Sequence, residues 1–430
     1  MQISPASLRS VKTSGAIRIV ANERVLDAAE RDEAEDKRNQ KLLLRGQLLS
    51  WLGDAMQPVA VAVAILLNDG SATEVGLATS AFGAGRLIAT LFGGVLADRM
   101  RPQSLMIGSD LARTLLTLGI LWCFLSPGRI GVALVLLFLH GGVGGVFLPA
   151  LSVLKVRVTT ADTRLSFNSS VAGVKTAASF AGPVLGGGLA ALSEPAVVLG
   201  VNAATFVISA VSIRLMRAET SPSGKSGTFL RDFADGAKLV ARRRWLLICM
   251  LCTMVHSLAF GVAITLMQVG GIEEHGSFGL GWIVGAQGVG SFIGVQISKK
   301  LTVERPMIIA WCASLTIPLC VLAFLGGIPL PVVLVLVAAG LLGAGVHSVL
   351  YESTLQNNIP AEEIGRVASW DYVVSLATLP VGTAIAGSLI DGIGFQCLVI
   401  ACTVTFAVSS LLPLAFRRVR EVTAHGPESD

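Results

Sequence analysis

Charged residues are scarce in this chain. Asp, Glu, Lys and Arg make up only 14% of the 430 residues, whereas they make up about a quarter of a typical soluble domain. Hydrophobic residues account for 53%, and the mean hydropathy is +0.72. This composition excludes an ordinary soluble domain and predicts a protein that lies in lipid.

The sequence also lacks the short motifs of common enzymes. No HExxH, GxSxG or Walker-type run occurs, and the predicted external loops are too short to house a separate active site. The seven cysteines lie mostly in apolar runs without His neighbours at metal-ligand spacing. We therefore expect neither an enzyme nor a metal or organic cofactor.

Apolar runs long enough for one membrane-crossing helix, which needs about 20 residues, can be placed twelve times. Six precede a long polar connection and six follow it. The sequence predicts an all-α polytopic membrane protein with five parts. These are a cytoplasmic N-terminal tail (1–41), an N-terminal six-helix bundle (42–215), a cytoplasmic linker (216–244), a C-terminal six-helix bundle (245–416) and a cytoplasmic C-terminal tail (417–430).

Basic residues concentrate in alternate connections between these runs. One set of loops holds Arg99, Lys155 and Lys299 among others, whereas the opposite set holds Arg129 alone. Because Lys and Arg are retained on the cytoplasmic side, we expect both termini to be cytoplasmic. The net charge of +5 then reflects topology, not a nucleic-acid partner, and the polar residues 1–40 show no signal peptide.

An internal repeat supports the division into halves. A shift of 200 residues superimposes several glycines of the two bundles, namely Gly94 on Gly294, Gly145 on Gly345, Gly182 on Gly382 and Gly187 on Gly387. A constant offset across several helices predicts tandem six-helix units.

Four charged residues are predicted deep in the membrane, where an ionisable group costs about 2.5 kcal/mol or more. At about 1.5 Å rise per residue, Asp54 lies about 18 Å and Arg86 about 16 Å from the cytoplasmic ends of their helices. Arg113 and Lys175 lie about 14 Å deep by the same rise. Asp54 is the one acid at that depth, so it is the candidate for reversible protonation, with Arg86 as its partner in proton coupling. A permanent Asp54–Arg86 pair that braces two helices is the alternative.

Other polar side chains are candidates for a substrate cavity between the halves. Besides Arg113 and Lys175, these are Gln47, Trp51, Gln57, His256, Gln268 and Gln287. Asp110 and Arg113 stand three apart on one helix and are expected to pair with each other. Asp110 also belongs to the residues that we expect to act in gating.

The connection after the second run, GGVLADRMRPQSL, resembles the loop signature of the major facilitator superfamily through Gly94, Asp98 and Arg99. Arg101 stands where the signature has a second glycine. The resemblance implies two six-helix bundles that alternate in access to a midplane cavity. It also implies that Asp98 latches the halves on the cytoplasmic side.

Further motifs resemble the drug-exporter branch that contains macrolide efflux proteins and the enterobactin exporter. Asp54, Asp110 and Arg113 lie in the segments that carry this resemblance. The fifth run contains GPVLGG, similar to an exporter signature, which implies a gating role for its residues Gly182, Pro183, Gly186 and Gly187. Simple tight helix packing is the alternative.

These observations predict a monomeric secondary transporter in a bacterial inner membrane. We expect proton-coupled efflux, by antiport, of a small amphipathic compound such as a drug, an antibiotic or a siderophore-like metabolite. The proton gradient would supply the energy, and membrane lipid would be the surrounding partner. An uptake carrier or facilitator for an organic anion is the alternative. A non-transporting membrane receptor or scaffold is a third hypothesis.

Overall fold

A computed structural model of the protein describes residues 5–126, 128–217 and 229–424. Within them, side chains are described except in 5–33, 91–99 and 229–235 and at isolated positions. Throughout the described residues the secondary structure is helical, with no strand. The predicted all-α class is therefore confirmed.

The first half contains six helices. Proline at the first turn of α3 and α6 suits a helix start, because proline has no N–H to leave unpaired there. A reciprocal pair of hydrogen bonds between Thr160 and Thr163 caps the start of α5. The helices are α1 (Pro5–Leu67), α2 (Ala72–Arg99), α3 (Pro102–Leu125), α4 (Ile130–Arg157), α5 (Ala161–Leu192) and α6 (Pro195–Arg214).

The second half begins with α7, which lies inside the predicted linker. Helix α8 contains two membrane crossings, because Gly276 adopts φ +69° and ψ −178° and breaks it into a first arm (244–275) and a second arm (277–298). The helices are α7 (Phe229–Arg242), α8 (Arg244–Ser298), α9 (Pro306–Ser314), α10 (Pro318–Leu322), α11 (Leu330–Asn358), α12 (Ala361–Ile393), α13 (Phe395–Ala415) and α14 (Arg417–Arg420).

Twelve crossings result from these helices within the described ranges. Eight helices are long and apolar enough to span a membrane, and α8 is one of them. The second arm of α8, the helices α2 and α5, and the consecutive α9 and α10 supply the remaining four. Helix α1 begins far upstream of the start predicted at residue 42.

The connections divide between two ends of the helix bundle. We call "basic face" the end that carries the α2–α3, α4–α5 and α11–α12 connections, and "opposite face" the end that carries the α1–α2, α5–α6 and α12–α13 connections. Each half has its own apolar core. Phe147 and Leu154 belong to the core of the first half, and Phe324 and Phe406 belong to that of the second.

Glycines separated by 200 residues occupy matching places in the two halves. Gly145 packs against the backbone of α2, and Gly345 packs in the same way against the second arm of α8. Gly187 contacts the start of that second arm, and Gly387 contacts the start of α2. The repeat seen in the sequence is thus a repeat of close helix crossings, which require residues without a side chain.

The two halves meet toward the opposite face. There α2 packs against α12, where the Thr73 hydroxyl donates to Asp391 at 3.1 Å. Helix α5 packs against the second arm of α8 from Ser179 onward. Nearer the basic face, a β-carbon at Gly173 of α5 would meet open space, and most described side chains of α5 from Thr163 to Ser179 are exposed. The inter-half space therefore opens toward the basic face.

Candidate substrate cavity

A cavity of about 200 Å³ lies in the first half, lined by α1 to α5. It contains four of the residues predicted to be deep or polar, Asp54, Arg86, Arg113 and Lys175, together with Trp51. The other lining residues are Ala55, Pro58, Phe82, His140, Gly144, Phe147 and Ser179. A cavity between the halves was expected, but this one is built by the first half.

Arg113 organises the buried side of the cavity. Its guanidinium donates one hydrogen bond to Asp54, 2.9 Å from Nη1 to Oδ2, and another to Asp110 one helical turn away. The Arg113 side chain is 3% exposed and that of Asp110 is fully buried, whereas Asp54 is 27% exposed. The Asp54 carboxylate therefore faces the cavity on one side and an ion pair on the other.

Two aromatic rings hold the guanidinium in place. The Arg113 Cζ atom lies 4.3 Å from the ring centroid of Phe206 and 4.7 Å from that of Phe147. Cations over aromatic faces are stabilised by the ring quadrupole. These contacts fix the position of Arg113 independently of Asp54.

The alternative of a permanent Asp54–Arg86 ion pair is wrong. Asp54 pairs with Arg113 instead, because α3 brings its arginine to the face of α1 that carries the carboxylate. Among the described residues, neither Arg86 nor Lys175 forms an ion pair. Arg86 is half-buried and Lys175 exposed, so both present charge to the cavity.

His140 lines the cavity although the sequence analysis did not select it as a cavity residue. Its ring lies 5.8 Å from that of Phe82 and 5.6 Å from that of Phe206. The side chain is 1% exposed, and neither ring nitrogen has a hydrogen-bond partner among the described residues. A single histidine in an apolar run carries no signal that distinguishes this position from a packed one.

A smaller apolar pocket of about 40 Å³ adjoins the cavity on the side of the opposite face. Pro58 and Phe82 line both spaces. The remaining lining residues are Gln57, Val61, Ala78, Thr79 and Leu137. The combined site is charged at one end and apolar at the other.

Several predicted cavity residues lie elsewhere. Gln47 donates to Ser209 at 3.3 Å inside the first half, and His256 contacts Ser409 and Phe406 of α13. The Gln287 amide lies 3.5 Å from the sulfur of Met267. The structure does not place these three in the described cavity, because helix rotation turns them into contacts within their own halves.

Gln57 and Gln268 lie at the apolar end of the site. Gln57 accepts a hydrogen bond of 2.8 Å from Asn202 and lines the smaller pocket. Gln268, on the first arm of α8, accepts a 3.1 Å hydrogen bond from the Thr79 hydroxyl of α2. This bond joins the two halves on the side of the cavity that is nearer the opposite face.

The glycine-rich segment of α5 makes close contacts with two helices. A β-carbon at Gly182 would meet Leu52 and Ala55 of α1, and one at Gly186 would meet Met56 of the same helix. Gly187 faces the second arm of α8, and the Pro183 carbonyl contacts Gly281 there. Tight packing is therefore present, and the gating role stays a prediction.

The predicted latch falls outside the described side chains. Gly94, Asp98 and Arg99 lie in the segment 91–99, for which only the helical backbone is described. Their gating role stays a prediction. Within the residues that the structure describes, no three His, Cys, Asp or Glu side chains lie close enough to hold a metal ion.

Known proteins resemble this chain over most of its length. Multidrug efflux pump Tap of Mycolicibacterium fortuitum is 23% identical over 395 residues, which are 89% of this chain and 96% of that protein. The putative bacilysin exporter BacE of Bacillus subtilis (strain 168) is 26% identical over 272 residues, 61% of this chain and 66% of that protein.

Solved structures share the fold at low identity. A peptide transporter in complex with sulfate superimposes with a TM-score of 0.70 at 13% identity, covering 90% of this chain and 96% of its own. A bacterial homologue of the iron transporter ferroportin, in an inward-facing state, superimposes with a TM-score of 0.68 at 17% identity, covering 88% and 98%.

The family model of the Major Facilitator Superfamily matches residues 43–377. This match covers five helices of the first half in full and reaches into α12. With the twelve crossings and the matching glycine contacts of the two halves, it identifies an integral membrane transporter, not an enzyme. The chain belongs to the Major Facilitator Superfamily.

Proposed function

We propose that the protein exports a small amphipathic compound in exchange for protons, by alternating access. Relatives named a multidrug efflux pump and a putative bacilysin exporter support the direction of transport. The charged cavity with an adjoining apolar pocket supports an amphipathic substrate. The proton gradient is the energy source in this proposal, and no bound cofactor is required.

The position of Asp54 carries the proposal. This carboxylate is exposed to the cavity on one side and paired with Arg113 on the other. Protonation of Asp54 removes its charge from the pair, but Asp110 still holds the Arg113 guanidinium. A buried arginine is therefore never left without a carboxylate, which lowers the cost of the protonation step. A group in the cavity that binds the charged form of Asp54 competes with the proton.

Alternating access then requires the contacts near the opposite face to break. Thr79 and Gln268 join the halves below the cavity, and Thr73 and Asp391 join them nearer the opposite face. Each contact is a single hydrogen bond donated by a threonine hydroxyl. Such a bond stabilises the contact by about 0.5–1.5 kcal/mol when the acceptor is an amide and by somewhat more when it is a carboxylate. Interactions of this size permit opening without loss of fold.

The excess of cations supports a second candidate function, an uptake carrier or facilitator for an organic anion. Arg86 and Lys175 face the same cavity without an ion pair among the described residues. A non-transporting receptor or scaffold has no evident need for these charges, and we place it behind both transport functions.

Transport assays in inverted membrane vesicles distinguish the two transport functions. Export by antiport predicts accumulation of norfloxacin or ethidium inside inverted vesicles when the interior is acidic, and loss of accumulation when the gradient is collapsed. An anion carrier predicts instead accumulation of benzoate-type anions in right-side-out vesicles. Accumulation that is identical with and without a pH gradient would contradict the proton exchange.

We further propose that the basic face is cytoplasmic, in the inner membrane of a bacterium, with a monomer as the working unit. Connections of the basic face hold Arg101 and Arg305, and Arg157 ends α4 at the same face, as the retention of basic residues in the cytoplasm requires. Fusion of a fluorescent protein behind Asp430 tests this orientation, since fluorescence develops only if the C-terminus is cytoplasmic.

A further inference from the structure

Two cations on different walls of the cavity define one end of a binding site. Arg86 extends from α2 and Lys175 from α5, and both line the space into which Asp54 projects. Neither has a carboxylate partner among the described residues. Unpaired cations in a site with apolar walls attract an oxyanion, which accepts hydrogen bonds from guanidinium and ammonium groups.

Asp54 favours a positively charged group on the bound compound. Its carboxylate is 27% exposed and contacts Arg113 through only one oxygen, Oδ2. Trp51 and Phe82 line the cavity beside it. A carboxylate next to aromatic faces is a suitable site for an ammonium group.

The apolar pocket fixes how the rest of the substrate lies. Val61, Ala78 and Leu137 line it on the side away from Arg86 and Lys175, and Pro58 and Phe82 line both the pocket and the charged cavity. A compound with both charges on one end would therefore place its apolar part toward the opposite face.

Proton exchange excludes compounds with a single charge. The charged groups that surround Asp54 come from α2, α3 and α5, and they are Arg86, Arg113, Asp110 and Lys175. The titratable side chain of His140, from α4, lines the same cavity. A proton on Asp54 makes this site more positive, so it strengthens the binding of an anion instead of competing with it. A simple cation would compete with the proton, but Arg86 and Lys175 repel it.

Resting on the proposed function, we propose that the transported compounds are zwitterions: amphipathic molecules whose oxyanion binds between Arg86 and Lys175 and whose ammonium group binds Asp54. The ammonium group then competes with the proton for Asp54, which antiport requires. The oxyanion compensates the two cations that otherwise face the cavity unpaired.

Binding of neutralised derivatives tests the proposal directly. The purified full-length protein in detergent is titrated calorimetrically with two zwitterions, norfloxacin and phenylalanyl-leucine. Each is compared with its methyl ester, which lacks the oxyanion, and its N-acetyl derivative, which lacks the ammonium group. Ethidium serves as a cation without an oxyanion. We expect at least one zwitterion to bind about tenfold more tightly than either of its derivatives, since each derivative loses one charged hydrogen bond.

Variants locate the effect in the cavity. In Arg86→Gln and Lys175→Gln, the parent zwitterion should bind about tenfold more weakly, while its methyl ester, a simple cation that these residues repel, should bind at least as tightly as in the wild type. Lys300→Gln is the matched control, because Lys300 is exposed on the basic face, outside the cavity. Thermal unfolding of each variant shows that it is folded.

Each outcome decides the proposal. A methyl ester that binds as tightly as its parent, or ethidium binding without binding of either zwitterion, overturns the zwitterion class. Gradient-driven export of ethidium alone would overturn it and leave proton-coupled export standing. Selective binding of a zwitterion without gradient-driven flux of any compound would support the binding class and refute the proposed export.

Discussion

Gly187→Ala should weaken the contact between the halves near the opposite face. A β-carbon at this position would meet the backbone carbonyl oxygen of Ser277 and lie 2.8 Å from the Cα atom of Gly281. Both atoms belong to backbone, so no side-chain rotation relieves the overlap and the helices must separate. Overpacking of this kind costs about 1–3 kcal/mol. The population of the contacting state should therefore fall about 5- to 140-fold relative to the separated state.

The neighbouring glycine provides a matched control. A β-carbon at Gly188 would meet only the Phe278 ring, at 4.0 Å. Gly188→Ala therefore changes helix propensity by the same amount as Gly187→Ala, about 1 kcal/mol, without separating the helices. The difference between the two variants isolates the contact.

Spin labels on the opposite face measure this separation. Leu192, 89% exposed at the end of α5, and Ile393, 50% exposed at the end of α12, take labels in the two halves. The exposed Cys312 and Cys397 are first replaced by serine. We expect longer label distances in Gly187→Ala than in Gly188→Ala, measured by pulsed dipolar spectroscopy. Identical distance distributions in the two variants would refute the packing argument.

Two further predictions concern the ion pairs and the bond between the halves. Asp110→Asn should destabilise the protein by about 1.5–3 kcal/mol, because it removes a charged hydrogen bond between two buried side chains although Asp54 still compensates Arg113; Asp54→Asn should cost only about 1 kcal/mol, since Asp54 is partly exposed. Denaturant unfolding in micelles measures both, and equal losses would contradict the division of roles. Thr79→Val and Gln268→Leu should each lower the population of the state in which the halves are in contact by about two- to tenfold. The same label distances measure this change. The double variant should add little to either single variant, and full additivity would show that the 3.1 Å bond is not the shared interaction.

The sequence predicted the fold well because its signal is repeated. Apolar runs of the necessary length and basic loops recur along the whole chain, so an error in one run leaves the others intact. The offset of 200 residues was informative for the same reason. Gly187 and Gly387 sit at corresponding helix crossings, where only glycine allows the backbones to approach.

Partners within the membrane were harder to predict. Depth along a helix follows from residue number, and Asp54, Arg86 and Lys175 do line one cavity. Which arginine reaches Asp54 depends on the rotation and tilt of α1, α2 and α3, which tertiary packing sets. Arg113 reaches Asp54 and Arg86 does not.

Polar residues outside the cavity show the same limit. His256 and Gln287 lie near the middle of their helix arms, as depth alone would require of cavity residues. His256 instead turns toward Ser409 of α13, and Gln287 toward Met267. Spacing along one helix cannot tell which face a neighbouring helix will cover.

Substrate-driven proton flux in Asp54→Asn shows whether Asp54 is the site of proton exchange. Wild-type protein and the variant are reconstituted into liposomes that contain a pH-sensitive dye, and norfloxacin or another exported compound is added on one side. We expect a proton flux in the wild type and none in Asp54→Asn. Thermal unfolding and calorimetry should show that this variant is folded and still binds the substrate, whose oxyanion contacts Arg86 and Lys175 in our proposal. A substrate-driven proton flux of wild-type size in Asp54→Asn would contradict the assignment of Asp54 as the site of proton exchange.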